Sequence, residues 1–149
     1  MDIQSDIRQS HFSSPQQKVQ INLIYTYNYI SLQMRKIFQS YDILYQHYNV
    51  LKILKGAGGR PLCNNEILEV MLDKTRDLTR LVEKLEKMGW VTKDINPNNK
   101  RSVMIKLTPK GLKYTKTIEQ TVENWIVNNT RLSAEECELM SKLLDKIRG

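Results

Sequence analysis

The chain has 149 residues and a net charge of +7, enough for one ordinary domain with a true core and too few for two independent domains of usual size. It contains no run of 18 apolar residues, and its opening MDIQSDIRQSHF has no apolar block, so neither a transmembrane helix nor a secretory leader is expected. Cys63 and Cys137 lie in separate segments without CxxC spacing, which argues against a disulfide framework or a zinc site and for a reduced, cytoplasmic protein.

Residues Met1 to Pro15 lack periodicity and read as a frayed end or short arm. From Gln17 to Tyr41, Ile24, Tyr27, Met34, Phe38 and Tyr41 recur at helical spacing, and Ile21, Ile30 and Ile37 form a second stripe. A helix apolar on two sides is either deeply buried or shared with a partner. Asp42 to Lys55 gives a second helix through Leu44, Tyr48, Leu51 and Leu54. It ends at Gly56-Ala57-Gly58-Gly59, where glycine supplies the positive φ of a helix C-terminus.

Pro61-Leu62 allows a short extended piece, and Asn64 or Asn65 can cap a brief helix through Ile67, Leu68 and Met71. After a turn near residues 72–74, a helix is predicted from about Thr75 to Met88, with Leu78, Leu81, Val82 and Leu85 on one face and Gly89 at its end. Two helices joined by a short turn, the second longer and basic, form a helix-turn-helix pattern. Trp90–Asp94 and Ser102–Leu107 are β-prone, with Asn96-Pro97-Asn98-Asn99 as turn chemistry between them. Thr108-Pro109 is a cap followed by proline at the first helical position, and opens a helix to about Asn129. Ser133-Ala134-Glu135-Glu136 is a capping box before a last helix with Leu139, Met140, Leu143, Leu144 and Ile147.

The charge is not evenly spread. Lys74 to Lys116 holds twelve Lys or Arg against four Asp or Glu, a net of +8, which leaves −1 for the rest of the chain. All of the excess lies in the basic helix and the hairpin after it. A helix beside a two-stranded ribbon with a cationic tip suits duplex DNA, because a major groove admits a helix and a narrow minor groove attracts Arg.

The segments LTRLVEKLEKMGWV, NPNNKRSV and LTPKG, in that order within Asp73–Gly111, resemble the MarR family of winged helix-turn-helix transcription regulators. The resemblance covers most of the chain. It implies a mainly α fold with a small β-hairpin wing: a winged helix lobe over about 42–110, and dimerisation helices over about 16–41 and 111–149 of one domain spanning 1–149. It further implies a homodimeric repressor binding pseudo-palindromic double-stranded DNA, with a crevice that takes small, often aromatic, effectors.

The candidate DNA contacts follow. Lys74, Thr75, Arg76, Thr79, Arg80 and Lys84 are non-core positions of the basic helix, whose first two turns face base edges when it enters a major groove. Arg76 and Arg80, four apart, would share a face and suit guanine, while Thr suits a thymine methyl or a phosphate. The alternative for Arg80 is an ion pair with Asp77 or Glu83. Lys100 and Arg101 would form the wing tip. MarR relatives often place an Asp two residues before the wing Arg, but here Asn99 stands there, and Asp94 is the nearest substitute. Lys93, Lys106 and Lys110 are generic phosphate candidates, and solvated surface lysines are the alternative.

No catalytic constellation, metal pattern or phosphate loop occurs, so no enzyme activity or cofactor is expected. His47 reads as a packed or ligand-lining side chain, and six tyrosines on the first two helices (Tyr25, Tyr27, Tyr29, Tyr41, Tyr45 and Tyr48) as core, interface or ligand crevice. Neither Cys63 nor Cys137 matches the N-terminal-helix cysteine of peroxide-sensing MarR relatives, and Glu135, Glu136 and Glu138 surround Cys137, so no redox switch is expected. The rival reading is a winged helix that binds an acidic protein partner.

Overall fold

Proline and a serine cap start the long N-terminal helix two residues before its apolar pattern does. Ser14 accepts from the Gln17 N–H and Pro15 takes the first helical position, where its missing N–H costs nothing. The computed structural model describes residues 2–74, 77–96 and 99–149, with residues 96 and 99–101 described by their backbone alone. The element order is α1 (Ile3–Asp6), α2 (Pro15–Gln39), α3 (Tyr45–Gly56), β1 (Leu62–Cys63), α4 (Asn64–Val70), α5 (Leu78–Lys87), β2 (Val91–Asn96), β3 (Asn99–Leu107), α6 (Pro109–Asn129) and α7 (Ala134–Arg148).

The chain divides into two units, Met1–Thr115 and Lys116–Gly149. The core of the first joins Phe38 of α2, Val50, Leu51 and Leu54 of α3, Ile67 of α4, Leu85 of α5, Val91 of β2 and Ile105 of β3, all essentially excluded from solvent. Three antiparallel strands run in the order β1-β3-β2. β3 pairs Val103 with Ile95 and Leu107 with Val91, and on its other edge Ile105 with Leu62.

The predicted elements appear in their predicted order, and their ends differ in several places. The first fifteen residues are not merely frayed: α1 forms, and Ile3 is buried. The piece at Pro61-Leu62 becomes β1, shifted one residue to Leu62–Cys63, and serves as the third strand of the wing sheet. The basic helix begins at Leu78 instead of Thr75. The hairpin strands reach Asn96 and Asn99, so what is left of the predicted turn, Pro97-Asn98, lies outside the described residues. No helix among the described residues is long and apolar enough to cross a membrane.

Candidate nucleic-acid interface

The helix-turn-helix is built from two capped helices and a braced turn. At α4 the cap is Cys63 and not Asn64 or Asn65: the Glu66 carboxylate reaches back to accept from the Cys63 N–H at 2.8 Å and from Arg60 at 2.7 Å. These bonds, the backbone one foremost, hold the Glu66 carboxyl down at about 2. The turn is tied to α3 by two side chains, since Asn49 accepts from the Leu72 N–H and Gln46 donates to Asp73, both at 3.0 Å.

Asp77 explains where α5 starts. Its backbone is extended and its carboxylate accepts from the Arg80 N–H at 3.3 Å, which makes it the N-cap. A carboxylate that repels phosphate is present because it satisfies a helix end. Helix α5 buries Leu78, Leu81, Val82 and Leu85 as the pattern required, and turns Thr79, Arg80, Glu83 and Lys87 to solvent.

The predicted contact residues therefore separate. Thr79 and Arg80 stand in the first turn of α5, exposed. Lys74 is exposed in the turn before it, and Thr75 and Arg76 lie outside the described residues. Of the pair Arg76 and Arg80, only Arg80 falls within the described span of α5. The Arg80 guanidinium has the alternative partner: its Nε lies 3.4 Å from Asp77 Oδ2, with the side chain otherwise in solvent. An exposed i,i+3 pair of this kind is worth well under about 1 kcal/mol, so it restrains Arg80 without withdrawing it. Lys84 also has a partner, its Nζ lying 3.1 Å from the largely exposed Asp42 carboxylate.

In the wing, the side chains of Lys100 and Arg101 lie outside the described residues, although both belong to β3. Asp94 pairs with Lys106 at 3.8 Å across the hairpin. Lys93 pairs with Glu86 at 2.8 Å, and Lys110 donates to the Met88 carbonyl at 2.9 Å. These generic phosphate candidates thus each have an internal partner.

The word LTPKG forms the joint behind the wing. Thr108 Oγ1 accepts from the Gly111 N–H at 2.9 Å as the cap of α6 and donates to the Gly89 carbonyl at 2.7 Å. Its own N–H donates to the Trp90 carbonyl at 3.0 Å. Gly111 lies so close to Trp90 that a Cβ would sit 1.9 Å from its carbonyl oxygen, and Trp90 stacks on Tyr114 at 4.7 Å. Only glycine allows that approach.

The sequence profile of the MarR family matches residues 45–103, from the start of α3 to the middle of β3. The multiple antibiotic resistance protein MarR of Salmonella typhimurium is 32% identical over 111 residues, covering 71% of this chain and 74% of that protein. The chain belongs to the MarR family. A cysteine-to-serine mutant of Escherichia coli MarR, complexed with operator DNA, superposes with a TM-score of 0.70 at 27% identity over 85% of this chain and 91% of that one. The organohalide-sensing regulator RdhR, in its 2,4-dichlorophenol-bound form, shares the fold with a TM-score of 0.75 at 19% identity, over 94% of this chain and 85% of that one. This is a transcriptional regulator with a winged helix-turn-helix, not an enzyme.

Outside the lobe, this MarR-family chain leaves much apolar surface uncovered. Helix α2 buries Met34 and Phe38 but exposes Ile24, Tyr27, Ile30 and Leu32. Ile24 and Tyr27, on the first stripe of the sequence pattern, are therefore not core. Helix α7 buries none of its residues, and Leu139, Met140, Leu143 and Ile147 all face solvent.

The tyrosines divide. Tyr48 is core and, like Tyr45, packs against Phe38, while Tyr25, Tyr27 and Tyr29 are exposed on α2. Burial, with Tyr27 contributing, raises the Tyr45 hydroxyl above its usual range. A hollow of about 390 Å³ opens between the end of α3 and the start of α6, lined by Leu54, Lys55, Leu107 and Leu112 among others; no tyrosine borders it.

His47 is packed. It is buried on α3, and its Nδ1 accepts from the Leu44 N–H at 3.0 Å. Burial first, then the nearby Lys84 ammonium, pushes it down to about 4. Asp42, Asn49, Gln46 and Glu86 have structural roles that sequence reasoning missed. Each joins segments whose proximity no local pattern announces.

Proposed function

We propose that the chain acts as a homodimeric, effector-responsive repressor that binds pseudo-palindromic double-stranded DNA. In this reading the lobe over about 42–110 carries the DNA contacts, and residues 16–41 and 111–149 form the dimer. Two symmetry-related α5 helices enter successive major grooves about 10 bp apart. Thr79 and Arg80 face base edges, Lys74 approaches from the preceding turn, and Thr75 and Arg76 add further contacts. Lys100 and Arg101 reach the minor groove from the wing. A small effector favours a lobe spacing that does not match the grooves, and so lowers affinity.

The observation that carries this reading is the exposure of Thr79 and Arg80 on α5, within the segment that holds all of the chain's excess positive charge. The uncovered apolar faces of α2 and α7 support the dimer. Selection of bound fragments from a random duplex library tests the reading as a whole. Recovery of a two-fold symmetric consensus with half-sites about one helical turn apart is expected. Recovery of no consensus, with an acidic protein competing as well as DNA does, would leave the protein-interaction module as the better account.

A further inference from the structure

We propose that Lys84 and Glu86 are positioning residues, which fix the roll of the recognition helix through ion pairs on its two flanks. The inference rests on the reading of α5 (Leu78–Lys87) as the recognition helix.

At about 100° per residue, the four buried side chains of α5 define one direction toward the core. Arg80, Glu83 and Lys87 point roughly opposite. Lys84 falls about 110° to one side of the buried direction, and Glu86 about 90° to the other. Burial agrees, because Lys84 and Glu86 are half-buried while Thr79, Arg80, Glu83 and Lys87 are exposed.

Each flank residue meets an opposite charge on a different element. Lys84 Nζ lies 3.1 Å from Asp42, in the corner between α2 and α3, and Glu86 lies 2.8 Å from Lys93 on β2. Asp42 adopts a left-handed backbone, φ 54°, and its carboxylate is largely exposed. Burial of Leu78, Leu81, Val82 and Leu85 sets the roll of the helix coarsely, and tethers on its flanks act on the small freedom that the packed face leaves. Two tethers on opposite flanks resist rotation in both directions. The roll decides how side chains meet base edges, since they project from the helix axis and even a small rotation shifts the tips of Thr79 and Arg80. Lys84 thereby leaves the set of phosphate contacts and joins the groups that aim Thr79 and Arg80.

The test uses the full-length protein, the duplex recovered by selection, and random-sequence duplex, with affinity measured at several salt concentrations. The variants are Lys84→Gln, Asp42→Asn, Glu86→Gln and the Lys84→Gln/Asp42→Asn double. Asn tolerates the left-handed backbone at position 42. In all four, the ratio of selected to random affinity should fall about two- to fivefold, the range of an exposed ion pair. The double variant should lose no more than either single one, and Lys84→Gln should keep the salt slope of the parent.

Asp42→Asn and Glu86→Gln each raise the net charge by one, which by the field alone tightens DNA binding, so a fall in preference separates aim from attraction. Tighter, equally selective binding by Asp42→Asn, with Lys84→Gln flattening the salt slope by about 0.9, would make Lys84 a phosphate contact and overturn the proposal. Unchanged preference in all four variants overturns it too. A parent protein that selects no duplex refutes the DNA-binding reading itself, which is a different result.

Discussion

Acid should loosen this protein through His47, and substitution by glutamine should remove that sensitivity. The neutral ring accepts the Leu44 N–H at the start of α3, with its Nδ1 3.0 Å away. A proton on Nδ1 removes that acceptor and places a charge in a site that is nearly solvent-free. The ring titrates near 6.5 in an unfolded chain but is pushed down to about 4 here, by burial first and by the Lys84 ammonium second. Between those values the unfolded chain binds the proton and the folded one does not. The contribution is therefore complete above about pH 6.5 and is lost as pH falls through 4.

The difference sets a ceiling of about 3 kcal/mol. Hydration of the neighbouring Lys84–Asp42 pair lowers the expected loss to about 1–2 kcal/mol. His47→Gln keeps an acceptor at the third helical position, where glutamine is a customary capping residue, and carries no titratable group. Urea unfolding of both proteins at equal protomer concentration, from pH 7.5 to 4, gives the comparison. The parent should lose about 1–2 kcal/mol relative to the variant across that range. Parallel curves, or a His47 resonance titrating near 6.5, would refute the reasoning.

Gly111→Ala should cost at least about 2 kcal/mol, because its Cβ would lie 1.9 Å from the Trp90 carbonyl oxygen and the joint behind the wing must open; thermal or urea unfolding measures it. Leu139→Glu with Leu143→Glu should yield a helical monomer, since both side chains are exposed within one chain and each buries about 1.5–3 kcal/mol of apolar surface when covered. Sedimentation of a dimer by that variant would remove α7 from the interface. Arg101→Ala should weaken binding most on sites flanked by A-tracts and leave major-groove preferences in place. Equal affinity of parent and variant at several salt concentrations would show that the wing is not inserted.

What the sequence by itself determined was everything with a local cause. The basic amphipathic helix followed from Leu78, Leu81, Val82 and Leu85 at helical spacing, the start of α6 from Thr108-Pro109, and the start of α7 from Ser133 and Glu136. Each signal lies within a few residues of what it controls. The segregation of +8 into one segment is likewise a property of the chain alone.

Tertiary structure decided what depends on distant partners. Two residues have no measurable alternation, so β1 is a strand only because Leu62 and Cys63 meet Ile105 and Met104. One local signal was ambiguous by itself: Asp77 could open the helix or lie within it, and in the fold it caps a helix that starts at Leu78. Lys84 looks like any basic side chain until Asp42, more than forty residues earlier, is brought to 3.1 Å. An ion pair needs only proximity, and proximity between distant residues comes from packing, which leaves no period in the sequence.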